Sequence, residues 1–351
     1  MSIIKKCPVC GKEKKQIQLS DFDCEYCGFN NAFIDLFLSE KTYNTWKDSV
    51  KFAIQKLICK KRVNITDFRC LRVGNGMVAF LDLEESKIYI VLSNGKIQIE
   101  NDAVEFDSSE RNYAIKYKNG TVKVFGSDNE FGQKNSEKWV DIHHVLTAPN
   151  CTYGVTKEGK IVYAGSPADY GVLKWSNIRD LKAYADCLIG IRNNGSIVFS
   201  ENVPKDEVIN KASTWQNIKD MVMFSDSIVG LKNDGTILFL GKNTDTKRNC
   251  MTWKDIIAIE ADNTYIYGLS RNGNLFVAGN CKKILDKGRK DAATWKNVMI
   301  ISCNKAGIGA VNEKGDFLFA GTFAGDKVKI VETCNEYSDI LIQNVWKTNN
   351  N

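Results

Sequence analysis

Residues 253–279 read WKDIIAIEADNTYIYGLSRNGNLFVAG. A tryptophan and an Asp-Ile pair lead into runs in which apolar and polar residues alternate, broken by Asn272-Gly273 and ending on Gly279. Alternation with a period of two places every second side chain on one face of a strand, and Asn-Gly supplies the positive φ of a tight turn, so the stretch predicts a β-hairpin. The same frame recurs along the chain. Trp139, Trp175, Trp215, Trp253 and Trp295 each open a W-x-[ND]-[IV] element, and in every copy a glycine follows 20 residues later, at Gly159, Gly195, Gly235, Gly273 and Gly315. A small residue stands five positions before that glycine (Gly154, Gly190, Gly230, Gly268, Ala310). A further glycine stands six after it at Gly165, Gly241, Gly279 and Gly321, with Glu201 the exception.

Upstream, Asn119-Gly120 and Gly126 mark another copy, with the tryptophan replaced near Glu100, and Asn94-Gly95 marks a more diverged one. Successive turn glycines from Gly120 to Gly315 are 39, 36, 40, 38 and 42 residues apart. A period near 40 with several short strands per copy predicts the blades of a β-propeller, and the Val/Ile/Tyr-rich runs around the turns oppose helical repeats of similar length. The expected fold is all-β: a seven-bladed β-propeller over 63–351, preceded by a small zinc ribbon at 1–30 and one amphipathic helix in a linker at 31–62. The terminal run Ile340 to Trp346 reads as a closing strand that completes the first blade, which would leave no exposed sheet edge between first and last copies.

Trp253-Lys-Asp-Ile-Ile-Ala-Ile with Tyr267-Gly-Leu-Ser-Arg-Asn-Gly273 resembles the repeat of the regulator of chromosome condensation family, and Gly126-Ser-Asp-Asn-Glu-Phe-Gly132-Gln133 is similar to that family's Gly-x-Asn-x-x-Gly-Gln ending. The resemblance spans about 280 residues and is nearest to the compact bacterial members. It implies a propeller that binds other proteins. Two departures limit it: the family's Gly-x-x-His before the hairpin is missing, and no copy has a long insertion resembling the wedge of the eukaryotic exchange factor. Nucleotide exchange is therefore assigned to no residue.

The head carries a separate signal. Cys7-Pro-Val-Cys10-Gly11 and Cys24-Glu-Tyr-Cys27-Gly28 are two C-x-x-C knuckles, each aiming two thiolates at one tetrahedral site. Four cysteines leave no open coordination position, so Cys7, Cys10, Cys24 and Cys27 are expected to hold a structural Zn²⁺. The other eight of the twelve cysteines lack this spacing and are read as free thiols. Between head and repeats, Tyr43, Trp46, Val50, Ala53, Ile54, Leu57 and Ile58 recur at three-to-four spacing, which predicts a helix from Ser39 to about Lys61.

Composition narrows the function. Hydrophobic residues are 43% and charged residues 26%, ordinary globular values. The two histidines, His143 and His144, are adjacent, which disfavours triad hydrolysis and His-ligated catalytic zinc. No stretch reaches the roughly 18 apolar residues of a membrane span, and the first 15 residues carry five lysines and no apolar signal run, so a cytoplasmic protein is expected. Residues 1–62 hold 12 Lys plus Arg against 7 Asp plus Glu, whereas the remaining 289 hold 36 against 35. The small basic excess thus sits in the head.

The repeated tryptophans and glycines read as architecture because their register never varies. Function is expected in the variable segments 127–138, 166–174, 202–214, 242–252, 280–294 and 322–345, which should emerge on one face. Partner-binding candidates there are Asp169, Tyr170, Lys282, Lys283, Lys287, Arg289, Lys290 and Phe323. The leading expectation is a non-enzymatic scaffold binding a protein partner, with no small-molecule substrate. The alternative is nucleic-acid binding through the basic ribbon and the 282–290 loop. A propeller enzyme or carbohydrate binder using the central channel ranks last, because polar catalytic residues recur nowhere in register.

The head allows a direct measurement. Protein purified without chelator should contain one zinc per chain, lost in Cys24→Ser with Cys27→Ser, and chelation should leave the thermal transition of the repeat region unchanged. Metal analysis that finds zinc retained in the double variant overturns the ligand set.

Overall fold

A computed structural model describes residues 3–6, 13–18 and 68–341, apart from 84, 167–169, 185–186, 204–205, 225–226, 242–244, 263 and 306. The chain divides into units 1–65 and 66–351. In the first, β1 (Ile3–Lys6) and β2 (Glu13–Gln18) form an antiparallel hairpin. The four candidate zinc ligands and the expected helix at 39–61 lie outside the described residues.

The second unit holds seven consecutive antiparallel sheets. The first has four strands, β3 (Leu71–Val73), β4 (Met77–Asp82), β5 (Lys87–Leu92) and β6 (Ile97–Asn101). Six three-stranded sheets follow. They are β7 (Ala103–Ser108), β8 (Asn112–Tyr117), β9 (Val122–Gly126); β10 (Ile142–Thr147), β11 (Cys151–Thr156), β12 (Ile161–Gly165); and β13 (Ile178–Tyr184), β14 (Cys187–Arg192), β15 (Ile197–Phe199). Then come β16 (Ile218–Phe224), β17 (Ser227–Lys232), β18 (Ile237–Gly241); β19 (Ile256–Ala261), β20 (Tyr265–Ser270), β21 (Leu275–Gly279); and β22 (Val298–Asn304), β23 (Gly307–Asn312), β24 (Phe317–Gly321). The first strand of each sheet packs on the first strand of the next, from β7 through β22, and β22 packs on β3, which closes the ring. This is a β-propeller of seven sheets.

Each invariant position of the repeat has a place in the joint between blades. The Asn or Asp two residues after the tryptophan adopts positive φ (Asp141 54°, Asn177 58°, Asn217 59°, Asp255 55°, Asn297 56°), a conformation those side chains tolerate better than most. That kink turns the next amide toward the preceding blade. Ile142 N–H donates to Gly120 O, Ile178 to Gly159, Ile218 to Gly195, Ile256 to Gly235 and Val298 to Gly273, at 2.9–3.2 Å. The turn glycine therefore serves two blades, bending its own hairpin and accepting from its neighbour. The small residue lies under the tryptophan: a Cβ at Gly190, Gly230 or Gly268 would stand 2.9, 2.7 or 2.5 Å from the ring of Trp175, Trp215 or Trp253. Burial of such a ring contributes about 2–3 kcal/mol, which supports the architectural reading of the tryptophans.

Blade one departs from the sequence reading. Its counterpart of the turn glycine is Ser86, at φ 53°, whose carbonyl accepts Ala103 N–H at 2.9 Å. Asn94-Gly95 instead joins β5 to β6, a fourth strand that no other blade has among the described residues. Elsewhere the place outside the third strand is filled by short helical pieces. Val172–Lys174, Asn249–Thr252 and Lys290–Thr294 are 3-10 turns; α1 (Glu207–Ala212), α2 (Asp245–Arg248), α3 (Lys283–Asp286) and α4 (Lys327–Glu336) are α-helical.

The closing strand is corrected at its start: Ile340 and Leu341 are helical, and among the described residues blade one draws its strands from 71–101, while 342–346 lie outside the described residues. The ring closes by packing and side-chain bonds: Val73 N–H donates to Ser302 Oγ (3.0 Å) and Asn304 Nδ2 to Gly74 O (2.7 Å). Asp326 caps α4 by accepting Lys329 N–H at 3.1 Å. The helix buries Ile330 and Cys334 in the cluster that holds Phe80, Tyr89 and Val311, and so joins the last blade to the first.

The tryptophan–glycine contact sets an order of mutational cost. Gly268→Ala, which drives a methyl to 2.5 Å from Trp253, should destabilise by about 1–3 kcal/mol. Gly154→Ala, whose nearest tryptophan atom is at 3.2 Å, should cost less in the same denaturant titration. Equal costs would refute the contact as the reason for glycine.

Candidate functional site

The inner strands carry ionisable side chains in register. Five residues after each tryptophan stand His144, Asp180, Asp220, Ala258 and Ile300; seven after stand Leu146, Lys182, Val222, Glu260 and Ser302. Blade two contributes Glu105 and Asp107 from β7, and blade one Arg72 from β3. The sequence reading missed this axial recurrence. The signal lay at fixed offsets from the tryptophans, but apolar residues occupy four of those ten positions, which hides it without the sheet geometry.

These side chains meet around the ring axis. His144 Nδ1 contacts Glu105 Oε1, and His144 Nε2 lies 3.0 Å from Asp180 Oδ1, so one imidazole links blades two, three and four. Arg69 Nη1 is 3.3 Å from Glu105 Oε1 and 2.7 Å from His144 Nδ1, while Lys116 Nζ reaches Glu105 Oε2 at 2.8 Å. Lys182 Nζ bonds Asp220 Oδ1 at 2.9 Å. Arg72 Nη2 bonds Asp107 Oδ1 at 2.7 Å, and its Nη1 lies 4.0 Å from Glu260 Oε1. That last pair joins blades one and six, which are not neighbours. Asp107 Oδ2 also accepts from Thr147 N–H and Oγ1 at 2.7 and 2.9 Å.

Charge pairing decides the protonation states. Burial disfavours the charge of His144 and Arg69 opposes it, but Glu105 and Asp180 outweigh both and raise its pKa above 6.5. The two flanking carboxylates favour the protonated ring, and Arg69 Nη1, 2.7 Å from Nδ1, opposes it. Burial would lift Glu105, yet His144, Arg69 and Lys116 hold it well below the usual carboxylate range. Asp180 is depressed against its burial by Lys182 and His144. Glu260 goes the other way: burial, with Asp220 and Asp107 nearby, lifts it to about 7 against Arg72 and Lys182. The charges answer one another, so the axis is filled by mutual pairs.

The outer segments have the opposite character. Each packs on the outer strand of a blade it leaves or enters: α1 on β18, α2 on β21, α4 on β24 and β5. Rather than standing on one face, they lie along the circumference, in the place β6 takes in blade one. Among the described residues, the large apolar side chains that are exposed are Ile99 on β6, then Phe131, Leu173, Met251, Leu285 and Val328, one on each of five of the six variable segments and none on 202–214, and Val140 outside them. A cleft of about 460 Å³ opens at the 127–138 segment, lined by Tyr117, Lys123, Asn129, Lys134, Ser136 and Glu137.

The sequence candidates fall unequally on this rim. Lys282, Lys287 and Lys290 are exposed, and Lys283 begins α3. Arg289 is turned inward: it is 7% exposed and bonds Asp262 Oδ2 at 2.9 Å and Leu285 O at 2.9 Å. Tyr170 is half-buried at φ 34°, its carbonyl accepting Glu201 N–H. Phe323 is half-buried against Phe319, with centroids 3.8 Å apart. Asp169 lies outside the described residues. The apolar residues of the rim were missed, since a lone exposed Leu or Met looks like any other until the fold shows where it stands. Cys70, Cys151, Cys187, Cys250, Cys281, Cys303 and Cys334 are free thiols, as expected, and burial pushes Cys250 and Cys334 up to about 12. Among the described residues, no helix is long and apolar enough to cross a membrane.

No protein-family model matches the chain, and no curated protein matches its sequence. Solved structures do. The CRINKLY WD40 ectodomain of the Arabidopsis thaliana receptor kinase ACR4 is similar over 72% of this chain and 93% of that one, at 12% identity and a TM-score of 0.55. Yeast RCC1 (Prp20), in its structure bound to Kap60, matches over 77% and 82%, at 10% identity and a TM-score of 0.49. The likeness to the ectodomain shows the fold, a β-propeller.

Both raised groups act in one direction on stability. His144 stabilises fully below its unfolded pKa near 6.5, and that contribution is lost as pH rises through its higher folded value. Glu260, raised from 4.5 to about 7, likewise favours the folded state at low pH and loses that contribution as pH rises through about 7. The depressed Glu105 and Asp180 contribute above the ordinary carboxylate range and lose it on acidification. Thermal stability should therefore fall as pH rises from about 4.5 to about 7 through Glu260, and further above 6.5 through His144. Glu260→Gln should flatten the fall between pH 4.5 and 7. An unchanged slope over that range in the variant would refute the assignment.

Proposed function

We propose that this protein is a non-enzymatic interaction scaffold whose propeller binds a protein partner through the outer elements between blades. The carrying observation is the placement of exposed Phe131, Leu173, Met251, Leu285 and Val328, one on each of five of the six variable segments. Inside the repeat, apolar side chains are buried with regularity, and fold maintenance does not require large ones in water at the rim. These side chains stand singly, one to a segment, and a partner that spans several segments would cover them together as the apolar part of its contact. Lys282, Lys287 and Lys290 beside Leu285 supply the polar frame and would steer an acidic partner surface. The axial charges support a structural role, because their ion pairs run to one another across blades.

The head belongs to the same proposal as a zinc-stabilised module on Cys7, Cys10, Cys24 and Cys27. The β1–β2 hairpin carries the first knuckle in its connection, residues 7–12, and a closed four-thiolate set supplies folding energy and no chemistry.

The rim can be separated from the axis by substitution. Leu173→Ser, Met251→Ser, Leu285→Ser and Val328→Ser combined should leave the thermal transition within a few degrees, since exposed positions contribute little. The same variant should lose a partner captured by the wild type at least about tenfold in affinity. Arg289 stays unaltered, because its loss would leave Asp262 buried without its charge partner. Retained binding in the rim variant refutes the proposal. Binding to a 20-nucleotide probe that falls steeply with salt would favour nucleic acid instead.

A further inference from the structure

The edge of β6 is set apart from the other outer strands. Two of the segments that fill the outer place also bond to strand edges: Ser136 Oγ, in the irregular 127–138 segment, donates to Val122 O of β9 (2.9 Å), and Asn335 Oδ1 of α4 accepts Phe317 N–H of β24 (2.7 Å). In blade one, β6 itself takes that place and connects through Asp102 alone to β7. Its inner side pairs with β5 from Val91↔Ile97 to Lys87↔Asn101. The bond from Leu92 N–H to Lys96 O sets the phase, so Lys96, Gln98 and Glu100 bond toward β5, while the N–H and C=O of Ile97, Ile99 and Asn101 point outward. No other strand lies beside β6 on that side among the described residues. Ile99, at the middle, is 47% exposed.

The residues along this edge complement themselves. When Ile97-Gln-Ile-Glu-Asn101 is laid antiparallel on a second copy about a two-fold axis at Ile99, Ile99 faces Ile99 and Gln98 faces Glu100. Ile97 faces Asn101, twice by symmetry, and no like charges stand opposite. Asp102, at φ 54° with its carbonyl bonded to Lys118 N–H, turns out of the strand toward β7 and takes no part. Asn101 is exposed, and the outward groups at Ile97, Ile99 and Asn101 match in hydrogen-bonding phase. An isologous interface must be complementary to itself, and this strand meets that condition in hydrogen bonding and in having no like charges opposed.

We infer that the free edge of β6 pairs with β6 of a second copy of this chain, forming a two-fold dimer through a continuous antiparallel sheet. The inference is independent of the rim proposal, since it uses blade one and none of the segments tested there. A strand pair alone buries less area than a permanent dimer, so the association is weak, with a dissociation constant on the order of 100 µM.

Sedimentation of the full chain over a wide concentration range tests it. The expected result is a monomer that shifts to a dimer with concentration. Ile99→Lys sets two ammonium groups against each other at the two-fold axis and should weaken the dimer roughly tenfold, whereas Ile99→Val should leave it within about twofold. Ile99 is 47% exposed, so folding, followed by circular dichroism, should be retained in both. Ile99→Cys should give a dimer linked through that position on mild oxidation, identified by mapping the linked peptides against the wild type. A chain that stays monomeric throughout, or a dimer that Ile99→Lys leaves unchanged, overturns the inference.

Discussion

The structure depends on one joint, made at five of the seven blade boundaries. A turn-glycine carbonyl accepts the amide of the next blade's first strand, and at four of them a tryptophan ring lies on the bare Cα of the second strand. The hydrogen bond fixes the register of neighbouring blades, and the ring fills the space that a Cβ would take. Neither part survives a change of spacing between tryptophan and glycine, so that span stays at 20 residues while everything outside it varies. The positive φ of Asp141, Asn177, Asn217, Asp255 and Asn297 is the local strain that aims the amide. Where Ser86 stands for the glycine, the same bond forms, which shows that the backbone geometry is the requirement and glycine its commonest solution.

Around this joint the molecule sorts its charge and its apolar surface by radius. At the axis, successive first strands bring ionisable side chains too close to remain independent, and His144, Glu105, Asp180, Lys182 and Arg72 pair across blades. Removing a member of such a buried network leaves its partner uncompensated, so the network specifies the ring more than it adds net stability. At the circumference, the connecting segments need only span the distance from one blade to the next. That freedom is what permits exposed apolar side chains there.

In blade one the outer place is filled differently, and the sheet edge changes with it. Two of the outer segments elsewhere bond to strand edges, as Asn335 does to Phe317. A fourth strand connects equally well but ends the sheet with a row of open donors and acceptors, which proteins either shield or use. The last helix, α4, closes the other side of the same blade by packing against β5, so ring closure and edge exposure meet in one sheet.

The repeat itself was legible because its spacing is local: hairpin turns, alternation and the tryptophan–glycine frame all follow from contacts within about 20 residues, and they sufficed for an all-β propeller. The thiolate spacing of the head was legible for the same reason. The first blade was misread because Ser86 lacks the glycine signature, and Ile340-Leu-Ile read as a strand although Ile340 and Leu341 fold as helix over the first blade. Arg289 looked like one more surface cation in a basic loop; only the folded chain brings Asp262, 27 residues away, to within 2.9 Å of it. The axial network and the rim have the same origin. Sequence alone determined what each copy must be, because a blade is made of near neighbours along the chain. Which side chains share the axis, and which stand in water at the edge, only the tertiary structure decided, because those relations arise between copies after the ring has closed.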